Sequence, residues 1–102
     1  MMNVLTFYVG EKQHHDGMPL YEWLLKEARE LGVHGGSAFR AIAGFGRHGR
    51  LHDDMFFELA GELAVKVEFI LDDTLTGQMM KRVEAQNAKV FYTRHEIQAG
   101  IL

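Results

Sequence analysis

Leu63-Ala64-Val65-Lys66-Val67-Glu68-Phe69-Ile70-Leu71-Asp72-Asp73 is the stretch that decides the fold. Val65, Val67, Phe69 and Leu71 alternate with Lys66, Glu68 and Ile70. A period of two is that of a strand with one face turned to a core. The two aspartates that close the run suit a helix N-cap, because a carboxylate accepts from the free N–H groups of a first turn. A helix is therefore expected after Asp72 or Asp73, with Leu75, Met79 and Val83 on its buried face. Gly77 inside it costs about 1 kcal/mol relative to alanine.

Outward from this strand and helix, the same period reading covers the chain. Lys89 to Arg94 is a last strand and His95 to Leu102 an irregular tail. Upstream, Val4 to Val9 is a breaker-free strand, and Gly10 to Met18 a loop. Pro19 suits the first position of a helix, where its missing N–H costs nothing. That helix runs to about Leu31, with Leu20, Leu24, Ala28 and Leu31 on one face, Trp23 beside them and Gly32 as its C-terminal cap. Trp23 in this stripe belongs to the core or to a subunit contact. Ser37 to Ala43 is a further strand, Gly44 to Leu51 a glycine- and cation-rich loop, and Asp53 caps a short turn through Leu59.

The order is βαββαβ over one domain, residues 1–102. It specifies an α+β ferredoxin-like sandwich: a four-stranded antiparallel sheet with two helices on one face. The first and third strands carry apolar residues on both faces, so the second face of the sheet needs cover. A symmetry mate is the usual cover, and a homo-oligomer is expected.

Composition narrows the classes. The 102 residues contain no cysteine, which removes disulfides, thiolate metal sites and a thiol nucleophile, and fits a reducing compartment such as the cytoplasm. The first residues, Met1-Met2-Asn3-Val4, lack the basic and apolar regions of a signal peptide, and no apolar run has the length of a membrane span. No direct membrane insertion is expected. With 11 basic and 14 acidic residues the net charge is −3, mildly repulsive to nucleic acid, which is not expected as a partner. The local exception is Arg47-His48-Gly49-Arg50-Leu51-His52, two arginines and two histidines with no acid.

Gly44-Phe45-Gly46-Arg47-His48-Gly49 fits G-x-G-x-x-G. No long helix follows it and the chain is too short for a doubly wound sheet, so a dinucleotide fold is excluded by context. Two readings remain: a flexible loop using glycines for turns, or a site where backbone N–H groups and arginines meet an anion.

The segment Gly36-Ser37-Ala38-Phe39-Arg40-Ala41-Ile42-Ala43-Gly44-Phe45-Gly46-Arg47 resembles the signature of the PII signalling proteins, G-x-T-V-x-x-V-x-G-F-G-R, which spans their second strand and the base of the T-loop. Lys89-Val90-Phe91-Tyr92 resembles the K-I-F-V after their phosphate-binding B-loop. A closer resemblance is to an uncharacterised PII-like domain family whose members read Y-x-G-E, then H-G-K-P-L-Y-E, then G-F-G followed by R-x-H. Here these are Tyr8-Val9-Gly10-Glu11, His15-Asp16-Gly17-Met18-Pro19-Leu20-Tyr21-Glu22, and Gly44-Phe45-Gly46 with Arg50-Leu51-His52. The match covers nearly the whole chain.

The resemblance implies a cytoplasmic homotrimer that binds a small-molecule effector in intersubunit clefts and regulates a partner protein; relatives are often associated with ion transport. It implies Gly36, Gly44, Phe45, Gly46, Arg47, His48, Arg50 and Lys89 as ligand-binding residues. Gly44 and Gly46 would admit close backbone approach, Arg47 and Arg50 would neutralise phosphate, and Lys89 would add charge from the B-loop position. The chain departs from PII in three places. Ala38 stands for the adenine-contacting threonine, His48 for the glutamine used around Mg-ATP and 2-oxoglutarate, and Gln86-Asn87-Ala88 for the B-loop G-D-G. Loss of those glycines removes backbone able to curl around phosphates, which points to AMP, ADP or another anion rather than ATP. No tyrosine lies between Phe39 and Leu71, so the uridylylated T-loop tyrosine of some PII proteins has no counterpart.

The alternative is a metal-binding or metal-responsive trimer. His14, His15, His48 and His52 are its candidate ligands for a divalent ion such as Zn, Cu or Ni. Their spacing is not that of a zinc motif. Ser37 has no base at a recognisable spacing, and no catalytic constellation is found. An enzyme is not expected.

Overall fold

Met2–Gly10 forms β1, which lies between two antiparallel neighbours in the computed structural model, whose description covers residues 1–44 and 64–102. A two-residue hairpin follows, β2 (His14–His15) with β3 (Met18–Pro19). Then come α1 (Leu20–Leu31), β4 (Gly36–Arg40), β5 (Ala64–Asp72), α2 (Asp73–Ala85) and β6 (Phe91–Ile97). The main sheet has the order β4-β5-β1-β6, antiparallel throughout. Both helices pack on one of its faces, α1 against β4 and β5, α2 against β1 and β5. This is the expected α+β ferredoxin-like sandwich.

The alternation of β5 is realised in full. Val65, Val67, Phe69 and Leu71 are buried under the helices, against Leu5, Phe7 and Val9 of β1. Phe7 and Phe69 meet edge to face with centroids 6.4 Å apart. From α1 the core takes Leu20, Trp23, Leu24 and Ala28, and from α2 Met79 and Val83. Asp72 is the cap of α2: its Oδ1 accepts from the Leu75 N–H at 2.8 Å. Gly32 ends α1 at φ 93°, a left-handed conformation that glycine adopts without cost. Its N–H donates to the Arg29 carbonyl, and the Val33 N–H to the Ala28 carbonyl, both at 3.0 Å. That pair of bonds is a Schellman motif, and it sets Val33 against the core.

Four local expectations are corrected. The segment 10–18 is not simply a loop: Asp16 (φ 53°) and Gly17 (φ 78°) form a two-residue turn joining β2 and β3. Asp-Gly is a strong signal for such a turn, because both positions need positive φ. Pro19 precedes the helix as its N-cap rather than opening it. β4 stops at Arg40 rather than Ala43; beyond it, among the described residues, the Ala41 N–H donates to the Ala64 carbonyl of β5 at 2.8 Å. β6 starts later and runs further than expected, replacing part of the irregular tail. Its polar run Thr93-Arg94-His95-Glu96 is held as strand by pairing with β1 down to Met2. The expected turn from Asp53 to Leu59 lies outside the described residues.

Two polar clusters tie helices to their surroundings. The buried Asn3 amide donates to Asp73 Oδ1 at 2.8 Å and to Thr76 Oγ1 at 3.3 Å, while Arg94 Nη2 donates to Asp73 Oδ1 at 3.2 Å. Between the helices, Glu27 sits within 3.2 Å of Lys26 Nζ and 3.1 Å of Arg82 Nη1, and Glu30 takes a second contact from each cation. Glu30 first, then Glu27, raise the Lys26 ammonium pKa above its ordinary value. Among the described residues no helix is long and apolar enough to cross a membrane.

Candidate functional site

One end of the sheet collects most of the chemistry. The C-terminal ends of β1 and β4 meet the N-terminal ends of β5 and β6 there, because Gly10 pairs with Ala64, Arg40 with Val65 and Tyr8 with Phe91. The chain leaves β4 at this end towards Gly44. The β2–β3 hairpin follows β1 at the same end, and Lys89 leads into β6 there.

On the face away from the helices, pairing sets Phe91, Tyr8, Lys66 and Phe39 in one row across all four strands. Tyr8 and Phe91 lie with ring centroids 5.6 Å apart, and Lys66 Nζ stands 5.4 Å from the centroid of Phe39. Tyr8, Phe39, Arg40, Ala41, Ala64 and Lys66 line a recess of about 270 Å³. The Arg40 guanidinium lies 3.5 Å from Glu11, and Lys66 lies 3.6 Å from Glu68. Aromatic faces beside two cations suit a flat ring carrying negative charge.

The expected ligand residues divide. Gly44 is exposed where β4 runs on toward the segment 45–63. Lys89 lies at the same end of the sheet but lines a different recess, of about 340 Å³, with Phe7, Met80, Val83 and Tyr92 on the helix side. Gly36 is at the opposite end of β4, paired with Phe69, and a Cβ there would overlap the buried Phe69 ring. Packing therefore accounts for that glycine. Phe45, Gly46, Arg47, His48 and Arg50 lie outside the described residues.

Of the candidate metal ligands, His48 and His52 also lie outside them. His14 bonds through Nδ1 to the Lys12 carbonyl at 2.8 Å. His15 packs edge-on against Trp23 at 4.6 Å and places Nε2 3.2 Å from Gln86 Oε1. The hairpin is thus tied to the turn after α2, Gln86-Asn87. Among the described residues no group of three or more potential ligands is assembled. Sequence reasoning does not single out Tyr8, Arg40 or Lys66 as site residues. Lys66 shows in the sequence only as the polar half of an alternation, and nothing local announces that Tyr8 and Phe39 flank it.

The DUF190 family model, described as "Uncharacterized ACR, COG1993", matches residues 2–99. A UPF0166 protein from Aquifex aeolicus (strain VF5) is 30% identical over 84 residues, covering 82% of this chain and 80% of that one. The fold is similar to that of a protein from Thermus thermophilus described as a candidate PII-like signalling protein, with TM-score 0.60, 15% identity and coverage of 92% and 84%. It is also similar to CPII, a nitrogen regulatory PII-like protein from Thiomonas intermedia K12 bound to ADP, AMP and bicarbonate, with TM-score 0.59, 18% identity and coverage of 99% and 94%.

Proposed function

The chain belongs to the DUF190 family and has a PII-like fold, and from that premise we propose that it is a cytoplasmic regulatory protein binding an adenine nucleotide, AMP or ADP, between the subunits of a homotrimer. The observation that carries this reading is the recess of Tyr8, Phe39, Arg40 and Lys66 at the end of the sheet from which the segment 45–63 departs. Its rings can stack a base and its cations can meet a phosphate. Arg47 and Arg50 would add charge from the segment itself, and Lys89 from the turn before β6. A nucleotide would act by its different affinity for two states of that segment, presenting a new face to a partner protein. The similar protein CPII is bound to ADP and AMP, and the turn Gln86-Asn87-Ala88 lacks the glycines suited to a third phosphate. The reading is one of a binding module, not a catalyst.

Thermal unfolding against AMP, ADP, ATP, bicarbonate, Zn and Cu tests it. A ligand at about 100 times its dissociation constant adds roughly 2.7 kcal/mol. Stabilisation by AMP or ADP is expected, lost in the double variants Arg40→Ala/Lys66→Ala and Arg47→Ala/Arg50→Ala. Stabilisation by metal alone would move the function to the histidines. Nucleotide binding that survives both double variants would overturn the site.

A further inference from the structure

The opposite end of β4 carries a second recess, of about 440 Å³, lined by Leu25, Ala28, Arg29, Val33, His34, Gly35, Gly36 and Phe69. Its floor is built by the core. The Schellman motif that ends α1 turns Val33 inward beside Ala28, and Phe69 reaches the recess only because residue 36 has no side chain. At its rim Arg29 and His34 are exposed, and among the described residues no acid lines it. Glu27 and Glu30, the nearest acids along α1, pair with Lys26 and Arg82. Among the described residues Arg29 makes no ion pair, although its neighbours in the same helix are fully engaged.

An apolar floor of this size with a guanidinium at its rim is the arrangement that holds a compact apolar body carrying one anionic group. We propose that this recess is a binding site for a small amphipathic carboxylate, its apolar part against Leu25 and the glycine backbone at 35–36, over the buried Ala28, Val33 and Phe69, and its carboxylate on Arg29. It is separate from the Tyr8 recess. Gly36 and Arg40 are four residues apart along β4, about 13 Å at strand rise, and the two recesses open on opposite faces of the sheet. The inference does not depend on nucleotide binding. The same strand, β4, borders both recesses and runs directly towards the segment 45–63.

A cation in the last turn of a helix is favourable without any ligand, so the test must read binding. Phenylacetate is titrated into the full chain and followed by the backbone NMR signals of Ala28, Val33 and Phe69 and the methyl signals of Ala28 and Val33, with neutral phenylacetamide as the control. Saturable shifts at these residues are expected, with an affinity on the order of millimolar for so small a probe. Arg29→Gln should weaken it about tenfold or more, the size of losing a charged hydrogen-bonding pair. Gly35→Val should weaken it by crowding the lining: a Cβ at Gly35 meets nothing within 4 Å and its backbone is not left-handed, so the variant folds. No saturable shift, equal affinity for phenylacetamide, or unchanged affinity in folded Arg29→Gln would each overturn the proposal.

Discussion

The two faces of the sheet share strands, sequence and register, yet follow different rules. Under the helices, every inward residue of β5 is apolar and at most 3% exposed, and the buried Asn3 of β1 has its amide bonded to Asp73 and Thr76. On the other face the rows change character along the strands. Phe91, Tyr8, Lys66 and Phe39 mix rings with a cation; Thr93, Thr6, Glu68 and Ser37 are polar; His95, Val4 and Ile70 are largely apolar. Ile70 is 48% exposed, directly beside Phe69 at 1%. A covered face need only exclude water, so hydrophobicity and volume suffice. The open face has apolar positions that call for cover and polar ones that call for a partner, the pattern of an interface that also carries a site.

Breaking the covered face has the largest effect. Phe69→Ala should destabilise the chain by about 3–5 kcal/mol in chemical denaturation, through lost burial and the cavity left beside Phe7. Gly36→Ala should cost about 1–3 kcal/mol by overpacking, because the ring it meets is buried and cannot swing aside; a neutral result would show that β4 shifts freely. On the open face the expectation reverses. Ile70→Asp should stay within about 0.5 kcal/mol when the chain is a monomer, as surface substitutions do, but sedimentation should report a smaller assembly. An unchanged assembly would show that this face is not the subunit contact and would remove the intersubunit cleft from the proposed function.

The smallest effect is electrostatic. The Asn3 amide, with the nearby N-terminal amine and Arg94 helping, holds the Asp73 carboxyl below the ordinary aspartate value. A lowered folded pKa adds stability that is fully present above the unfolded value near 3.9 and lost as pH falls through the folded one. Stability should therefore fall slightly on acidification below about pH 4, and Asp73→Asn should flatten that slope. The same slope in both proteins would show that the Asn3–Asp73 link does not persist in solution.

The fold is largely legible from local features. The alternation of 65–71 announces a one-sided strand, Asp72 its helix cap, and Gly32 the end of α1. The hairpin at Asp16-Gly17 carries its signal in that dipeptide alone, and strands of two residues have no period to mark them as strands. The length of β6 is not legible: Thr93-Arg94-His95-Glu96 has no apolar pattern, and only pairing with β1 makes it strand. For the site, G-F-G-R carries the family resemblance, but among the described residues the recess belongs to Tyr8, Phe39, Arg40 and Lys66.

The sequence by itself therefore determined what depends on neighbours along the chain: strand period, helix caps, the turn glycines and the family to which the motifs point. Tertiary structure alone decided what depends on residues far apart. Pairing register aligned Tyr8, Lys66 and Phe39, and Phe69 gave Gly36 its reason. The capped end of α1 meets the start of β4 to form the Arg29 recess. Local propensity carries no record of which strand will lie alongside, so a site assembled across strands becomes visible only once the register exists.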